Sequence, residues 1–243
     1  MEIRNAGALV TGASRGLGEA LARELASAGA RVVLVARHRE ALDEVVGSIR
    51  AGGGEAHAVV DDVADKHAVH RIAGVAAALV GNIDLVVHNA STLGPVPLRP
   101  LLDTDCEALE EALAVNVVGP FRLTKIFAGA MLARGRGLVV NVTSDASVAA
   151  YPTWGAYGVS KAALDHLGRV WGAELEGTGV RVVSVDPGEM DTQMHTDAVP
   201  DADRASLAKP ALVARRIVRL IHRVEALANG ARVEAIAFDE VRK

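Results

Sequence analysis

The sequence predicts a single α/β domain, a doubly wound sheet of seven parallel strands with helices on both faces. Three observations predict it. Valine-rich runs of strand length recur along the 243 residues, amphipathic stretches of helical period separate them, and no linker-like shift or low-complexity tract divides the chain. The length suits one large domain or two small ones, and the lack of a linker favours one domain spanning residues 1–243.

The seven candidate strands are Gly7 to Thr11, Arg31 to Ala36, Ala56 to Val60, Ile83 to Asn89, Gly137 to Ser144, Val180 to Asp186 and Arg232 to Phe238. They are runs of valine rather than strict alternations, as parallel strands covered on both faces should be. Between them, EALARELASAG and EALDEVVGSIRAGG have helical period and end at glycine. AGVAAALVG reads as a close-packed helix. Alternating strands and helices imply βαβ units with right-handed crossovers. Half of the residues are hydrophobic but only 3% are aromatic, so the core must be built from Ala, Val, Leu and Ile.

Composition also bounds function. A net charge of −4 with interspersed signs gives no basic stripe for nucleic acid. No segment reaches the roughly 18 consecutive apolar residues of a membrane span, and MEIRNAGALVTG does not read as a secretory leader. The single cysteine, Cys106, rules out an internal disulfide, suits a reducing compartment and reads as a partly buried helix residue. A soluble cytoplasmic protein is expected, with the N-x-[ST] matches at Asn89 and Asn141 read as chance. His67 and His70, with Asp65 near, read as a solvated helix face, and no metal is expected.

One segment, Gly188 to Pro210, is polar, acidic and longer than an ordinary connection. It follows the sixth strand on the edge where open α/β sheets bind ligands, so residues 188–210 read as a substrate-binding lid. Its aspartates would disfavour strongly anionic substrates. His195, Met190 and Met194 could touch substrate, or the methionines could simply cover a cofactor.

After the first strand comes TGASRGLG, Thr11 to Gly18. Gly12, Gly16 and Gly18 allow a tight turn, and the backbone of Ser14, Arg15 and Leu17 leads into a helix whose positive end suits a pyrophosphate. This is the signature of a Rossmann-type dinucleotide fold, and no G-K-[ST] closes it as in a P-loop. Where an acidic residue would accept from a ribose 2′-hydroxyl, the chain has Arg37. Arg37, Arg15 and the Ser14 hydroxyl make a seat for a phosphate dianion, which predicts NADP(H) rather than NAD(H).

Of the two tyrosines, Tyr157 stands four residues before Lys161, so on a helix the two share a face. A free phenol has a pKa of about 10, and a neighbouring cation should lower it toward a useful acid/base range. Alone, this spacing is common. Ser144, thirteen residues upstream at the end of the fifth strand, adds a hydroxyl able to donate to a carbonyl oxygen as negative charge develops. Thr143 precedes it, and Tyr151 reads as a packing or pocket-wall residue.

With TGASRGLG, DDV at Asp61–Val63, HNAS at His88–Ser91, NVVG at Asn116–Gly119, Ser144, YGVSK and DPG at Asp186–Gly188 followed by Thr192, the chain resembles the short-chain dehydrogenase/reductase family over nearly its whole length. The resemblance implies Tyr157 as acid/base and Lys161 as its electrostatic partner and a ribose contact. It implies Ser144 as the group orienting the substrate oxygen, and Asn116 as holder of a water in a proton relay. Asp62 and Val63 would flank the adenine, Asn89 and Ala90 would line the cofactor wall, and Pro187, Gly188 and Thr192 would contact the nicotinamide side. His88 and Ser91 depart from the N-N-A-G common in the family. Asn89–Gly94, Gly188–Met194 and Asn229–Glu240 loosely resemble sepiapterin-reductase-like members, which makes a pteridine side-chain ketone one substrate guess. The implied function is NADP(H)-dependent interconversion of a carbonyl and an alcohol, as a homodimer or homotetramer, with reduction as the working direction. The rival is an NADP(H)-binding sensor or scaffold without turnover. Sugar-nucleotide chemistry would need a larger substrate domain.

Overall fold

The structure is a computed structural model that describes residues 1–239. Residues 240–243, the end of the expected domain and of the Asn229–Glu240 stretch, lie outside the described residues. Seven strands, β1 (Gly7–Thr11), β2 (Arg31–Ala36), β3 (Glu55–Val60), β4 (Leu85–His88), β5 (Gly137–Val142), β6 (Val180–Asp186) and β7 (Arg232–Glu234), form one parallel sheet in the order β3-β2-β1-β4-β5-β6-β7. The order reverses between β1 and β4, which opens a crevice at their carboxyl ends.

The helices are α1 (Gly16–Ser27), α2 (Arg39–Ala51), α3 (Ala68–Val80), α4 (Cys106–Leu113), α5 (Gly119–Arg134), α6 (Gly155–Glu174), α7 (Gln193–Ala198) and α8 (Pro210–His222). Side chains alternate across each strand. Ala8, Val10, Val32 and Leu34 face one apolar layer with α1, α2 and α8, while Leu9, Val33 and Val35 face the other with α3 and α5. Every residue of β1 is buried, which explains the unbroken valine and alanine runs. A fully buried valine or leucine such as Val10 or Leu9 contributes ~1.5–3 kcal/mol by leaving water.

The expected strands from Ile83 to Asn89 and from Gly137 to Ser144 are shorter at their carboxyl ends, because there the chain turns out of the ladder to form the site. The seventh stops at Glu234, opposite Asp186, the last residue of β6. With no strand to pair with, Ala235–Phe238 winds into a 3₁₀ turn. Cys106 is exposed at the start of α4, not partly buried, because Ala108 and Ala112 carry that helix's buried face. No helix among the described residues is long and apolar enough to cross a membrane.

Candidate active site

The glycine loop is built on contacts with the turn after β4. Gly12 has φ +66°, and a Cβ there would lie 2.7 Å from Ala90 Cα. A Cβ on Gly18 would lie 2.2 Å from Gly12 O and 2.4 Å from Asn89 Nδ2. The Asn89 amide donates to the carbonyls of Thr11 (3.0 Å) and Gly12 (3.1 Å). Thr11 Oγ1 accepts from Asn89 N (3.1 Å) and Ala90 N (3.0 Å). Two of the three glycines are therefore needed for packing, and Asn89 acts as a staple on the loop.

Gly16, at φ +60°, opens α1 and approaches Thr192, whose Cγ2 would lie 3.5 Å from a Cβ there. No side chain caps the first turn of α1, so its N–H groups and positive dipole end suit an anion. The Leu17 side chain is buried in the core, which leaves only its main chain for that purpose. Arg15 and Arg37 are exposed at the ends of the neighbouring strands β1 and β2, and neither pairs with a carboxylate among the described residues. These residues fit a dinucleotide, with its pyrophosphate at α1 and its adenosine end beside β2. Asp62 accepts from Ala64 N at 2.9 Å within its own turn, and Val63 is buried against Gly119.

The chemical groups gather one strand over. Ser144 leaves β5 in an extended conformation; its Oγ donates to Asp145 Oδ1 (2.8 Å) and accepts from Ala146 N (3.2 Å). Tyr157 lies in the first turn of α6, buried edge-on against Trp154 with ring centroids 5.8 Å apart. Lys161, one turn on, is 2% exposed, and its Nζ lies 5.5 Å from the Tyr157 ring centroid. That Nζ donates to Val142 O at 2.8 Å.

The electrostatics differ from the sequence expectation. Burial pushes the Tyr157 phenol up to about 12; the Ser144 hydroxyl opposes this, and the Asp145 and Asp186 charges add to it. Burial pushes Lys161 down to about 8, against the pull of Asp165. The pair shares a face as expected, but the ammonium is engaged with a main-chain carbonyl, and desolvation of the phenol outweighs it.

Asn116 sits in a π-helical turn, Ala114–Val118, between α4 and α5. It is wholly buried; its amide accepts from Thr92 N (2.9 Å) and donates to Thr92 O (2.9 Å) and Ser160 Oγ (2.8 Å). These bonds join the loop after β4 to α6. A π turn inside a helix often marks a functional site, and its irregular register aims Asn116 inward.

Two residues beneath the site, Arg232 and Asp165, escaped sequence reasoning. Arg232 Nε donates to Asp165 Oδ2 (3.1 Å), and its Nη2 donates to Asp186 Oδ2 (2.8 Å) and Ser144 O (3.1 Å). One guanidinium thus ties β7, α6 and the ends of β5 and β6 together. Asp165 stands four residues after Lys161 on the same helix face, and that spacing was the available signal. The other Asp186 oxygen accepts from Gly188 N at 3.0 Å, which sets the turn that carries Pro187.

The segment from Gly188 to Pro210 is partly ordered as α7 and a bridge between Met190 and Ala208. Thr192 caps α7, accepting from His195 N at 3.2 Å. Asp191 is neutralised by Arg204 (2.6 Å) and Lys209 (2.7 Å), so the segment is less acidic than its composition implies. A cavity of about 280 Å³ opens between this segment and the ends of β5 and α6. Ser144, Tyr151, Trp154, Tyr157, Met194 and His195 are among its walls. His67 and His70 are exposed, away from it.

The chain matches the short chain dehydrogenase family over residues 6–203. It is 36% identical over 208 residues to L-xylulose reductase of Bos taurus, covering 84% of this chain and 81% of that protein. It is 35% identical over 198 residues to 2,3-dihydro-2,3-dihydroxybenzoate dehydrogenase of Bacillus subtilis, covering 82% of this chain and 75% of that protein. A crystal structure of a metagenomic short-chain oxidoreductase in complex with NADP superposes with a TM-score of 0.81 at 33% identity, covering 96% of this chain and 99% of that one. These likenesses do not extend to the narrower sepiapterin-reductase resemblance.

Proposed function

This chain belongs to the short-chain dehydrogenase/reductase family, and we propose that it is an NADP(H)-dependent reductase of ketones or aldehydes with Tyr157 as the proton donor. That it is an oxidoreductase acting on an alcohol or carbonyl with a nicotinamide cofactor follows from the family. The finer reading is carried by one observation. Ser144 and Tyr157 line a single cavity, with Lys161 one turn behind the tyrosine and the uncapped start of α1 across Thr192.

Bound at α1, the nicotinamide dinucleotide supplies or accepts the hydride. The chain handles the oxygen and its proton. Ser144 donates to the substrate oxygen as negative charge gathers there. Tyr157, held neutral by burial, gives its proton to the nascent alkoxide, a far stronger base than phenolate, so the transfer runs downhill. Lys161, over the Tyr157 ring, supplies a cation to the phenolate left behind. Asn116 positions rather than reacts, fixing Thr92 and Ser160 around the cavity.

NADP(H) is favoured by Arg15 and Arg37, two guanidinium groups without a carboxylate partner among the described residues, where a 2′-phosphate would lie, with no carboxylate at the end of β2. Residues 188–210 act as the lid over the substrate, with Met194 packed toward Leu93 and Tyr157. Association as a dimer or tetramer is supported by Phe121, Val159 and Val170, exposed on α5 and α6. We read the protein as cytoplasmic. The rival, a cofactor sensor without turnover, would have no need of an intact Ser144, Tyr157 and Lys161. NADPH oxidation across a panel of carbonyl compounds tests this reading. Tight NADPH binding without turnover of any of them would favour the sensor.

A further inference from the structure

In a chain with 3% aromatic residues, both tyrosines and one of its two tryptophans line one cavity. Tyr151, Trp154 and Tyr157 stand in a row, with successive centroids 6.3 Å and 5.8 Å apart. Such a row offers ring faces to a flat ligand or to a cation.

The charges around it have one sign. Asp145, Asp186 and Glu189 line the cavity, and among the described residues no lysine or arginine does. Asp186 is already held by Arg232. Asp145 accepts from the Ser144 hydroxyl and Ala146 N on one oxygen and from the Tyr151 hydroxyl, at 2.7 Å, on the other. A carboxylate can accept about four hydrogen bonds, so Asp145 stays anionic with capacity to spare. The Glu189 carboxylate is 77% exposed at the rim. The cations of the adjoining segment, Arg204 and Lys209, are both committed to Asp191.

Polar atoms in the same wall lack partners. Thr143 is 1% exposed, and its Oγ1 has no hydrogen-bond partner among the described residues. Both ring nitrogens of His195 are buried without a hydrogen bond among the described residues, Nε2 lying 3.7 Å from Glu189 Oε1. Buried polar groups without partners are costly, so these atoms mark where a ligand supplies donors and acceptors. The volume of about 280 Å³ is at the small end for ligand sites and suits one ring with short substituents.

We propose that this cavity selects a small aryl ketone or aldehyde bearing a protonated amine, its carbonyl at Ser144 and Tyr157, its ring along Tyr151 and Trp154, and its ammonium facing Asp145 and Glu189. The proposal rests on the carbonyl-reductase reading above. It makes keto acids and phosphorylated carbonyl compounds poor substrates, since three carboxylates and, among the described residues, no lysine or arginine line the cavity.

The test compares three aryl methyl ketones of one skeleton, carrying an aminomethyl, a hydroxymethyl or a carboxymethyl group, with the full chain and saturating NADPH. The expected kcat/KM for the amine is about fivefold above the neutral ketone, the carboxylate falls below it, and the gap narrows as salt rises. Glu189→Gln should shrink the preference for the amine, and Glu189→Lys should move the ratio toward the carboxylate. Turnover of the neutral ketone with equal kcat/KM for all three would overturn this inference and leave the reductase reading standing. So would ratios indifferent to both Glu189 variants. No turnover of any member, with NADPH bound, would overturn this inference, while the wider carbonyl panel decides the reductase reading.

Discussion

The Lys161 ammonium is bonded to the Val142 carbonyl at 2.8 Å while it lies 5.5 Å from the centroid of the Tyr157 ring. The ammonium thus engages a main-chain carbonyl while it lies over the tyrosine ring. With burial pushing the phenol up to about 12, Tyr157 is a proton donor at every ordinary pH and a proton acceptor only in alkali. The two directions of the reaction therefore need opposite forms of one group.

Reduction requires the neutral phenol, so kcat/KM for a ketone should be nearly level between pH 6 and 9, a range wholly below about 12. Oxidation of the matching alcohol requires phenolate, so its kcat/KM should rise about tenfold per pH unit over the same range. Initial-rate pH profiles in both directions check this. An oxidation profile that levels off near neutrality would show that the phenol is acidified after all.

Lys161 makes a separate prediction about stability. Its pKa, held near 8 by burial, lies below the unfolded value of 10.5, so the unfolded chain binds more protons between those values. Stability should therefore rise as pH increases from 8 to 10.5, and below 8 the full penalty applies, on the order of 3 kcal/mol. Urea melts should show this slope in the wild type and a smaller one in Lys161→Met. Equal slopes would place the ammonium in a solvated environment.

Arg232 compensates two buried carboxylates, so its loss strands both. Arg232→Met should lower unfolding free energy by ~3 kcal/mol or more, and Arg232→Lys by less, since one ammonium cannot reproduce the fork to Asp165, Asp186 and the Ser144 carbonyl. A double variant, Arg232→Met with Asp165→Asn, should recover part of the loss. Denaturation of the four proteins decides it, and a loss under ~1 kcal/mol in Arg232→Met would show that the network contributes little.

The fold was largely legible because its signals are local. Valine runs, helical period and glycine stops are each set by a few adjacent residues, and all seven strands lie where those runs predict them. The candidate serine, tyrosine and lysine were legible because their spacing is fixed by one strand end and one helix. What escaped depends on contacts between distant segments. Arg232 meets Asp165 across 67 residues of chain, and nothing around Arg232 announces it. The direction of the Lys161 amine was equally hidden, since i and i+4 spacing sets the face but not the end to which a long side chain reaches. The aromatic cavity wall came from both kinds of information, with scarcity visible in the composition and convergence visible only in three dimensions.

Arg15 and Arg37 predict cofactor choice. Arg37→Ala should raise the Kd for NADPH about tenfold or more and leave that for NADH nearly unchanged, since a charge-assisted contact to a phosphate is lost only where the phosphate exists. Fluorescence titration of both cofactors reads it. Tighter binding of NADH than NADPH by the wild type would contradict the assignment.

Tyr157→Phe tests the central claim most directly. The variant removes one oxygen from a residue whose ring is packed against Trp154, so the fold and NADPH binding should persist. Measured by NADPH oxidation with a ketone that the wild type reduces, kcat should fall by about 10²-fold or more. Turnover undiminished in the variant, at the same cofactor occupancy, would contradict the account.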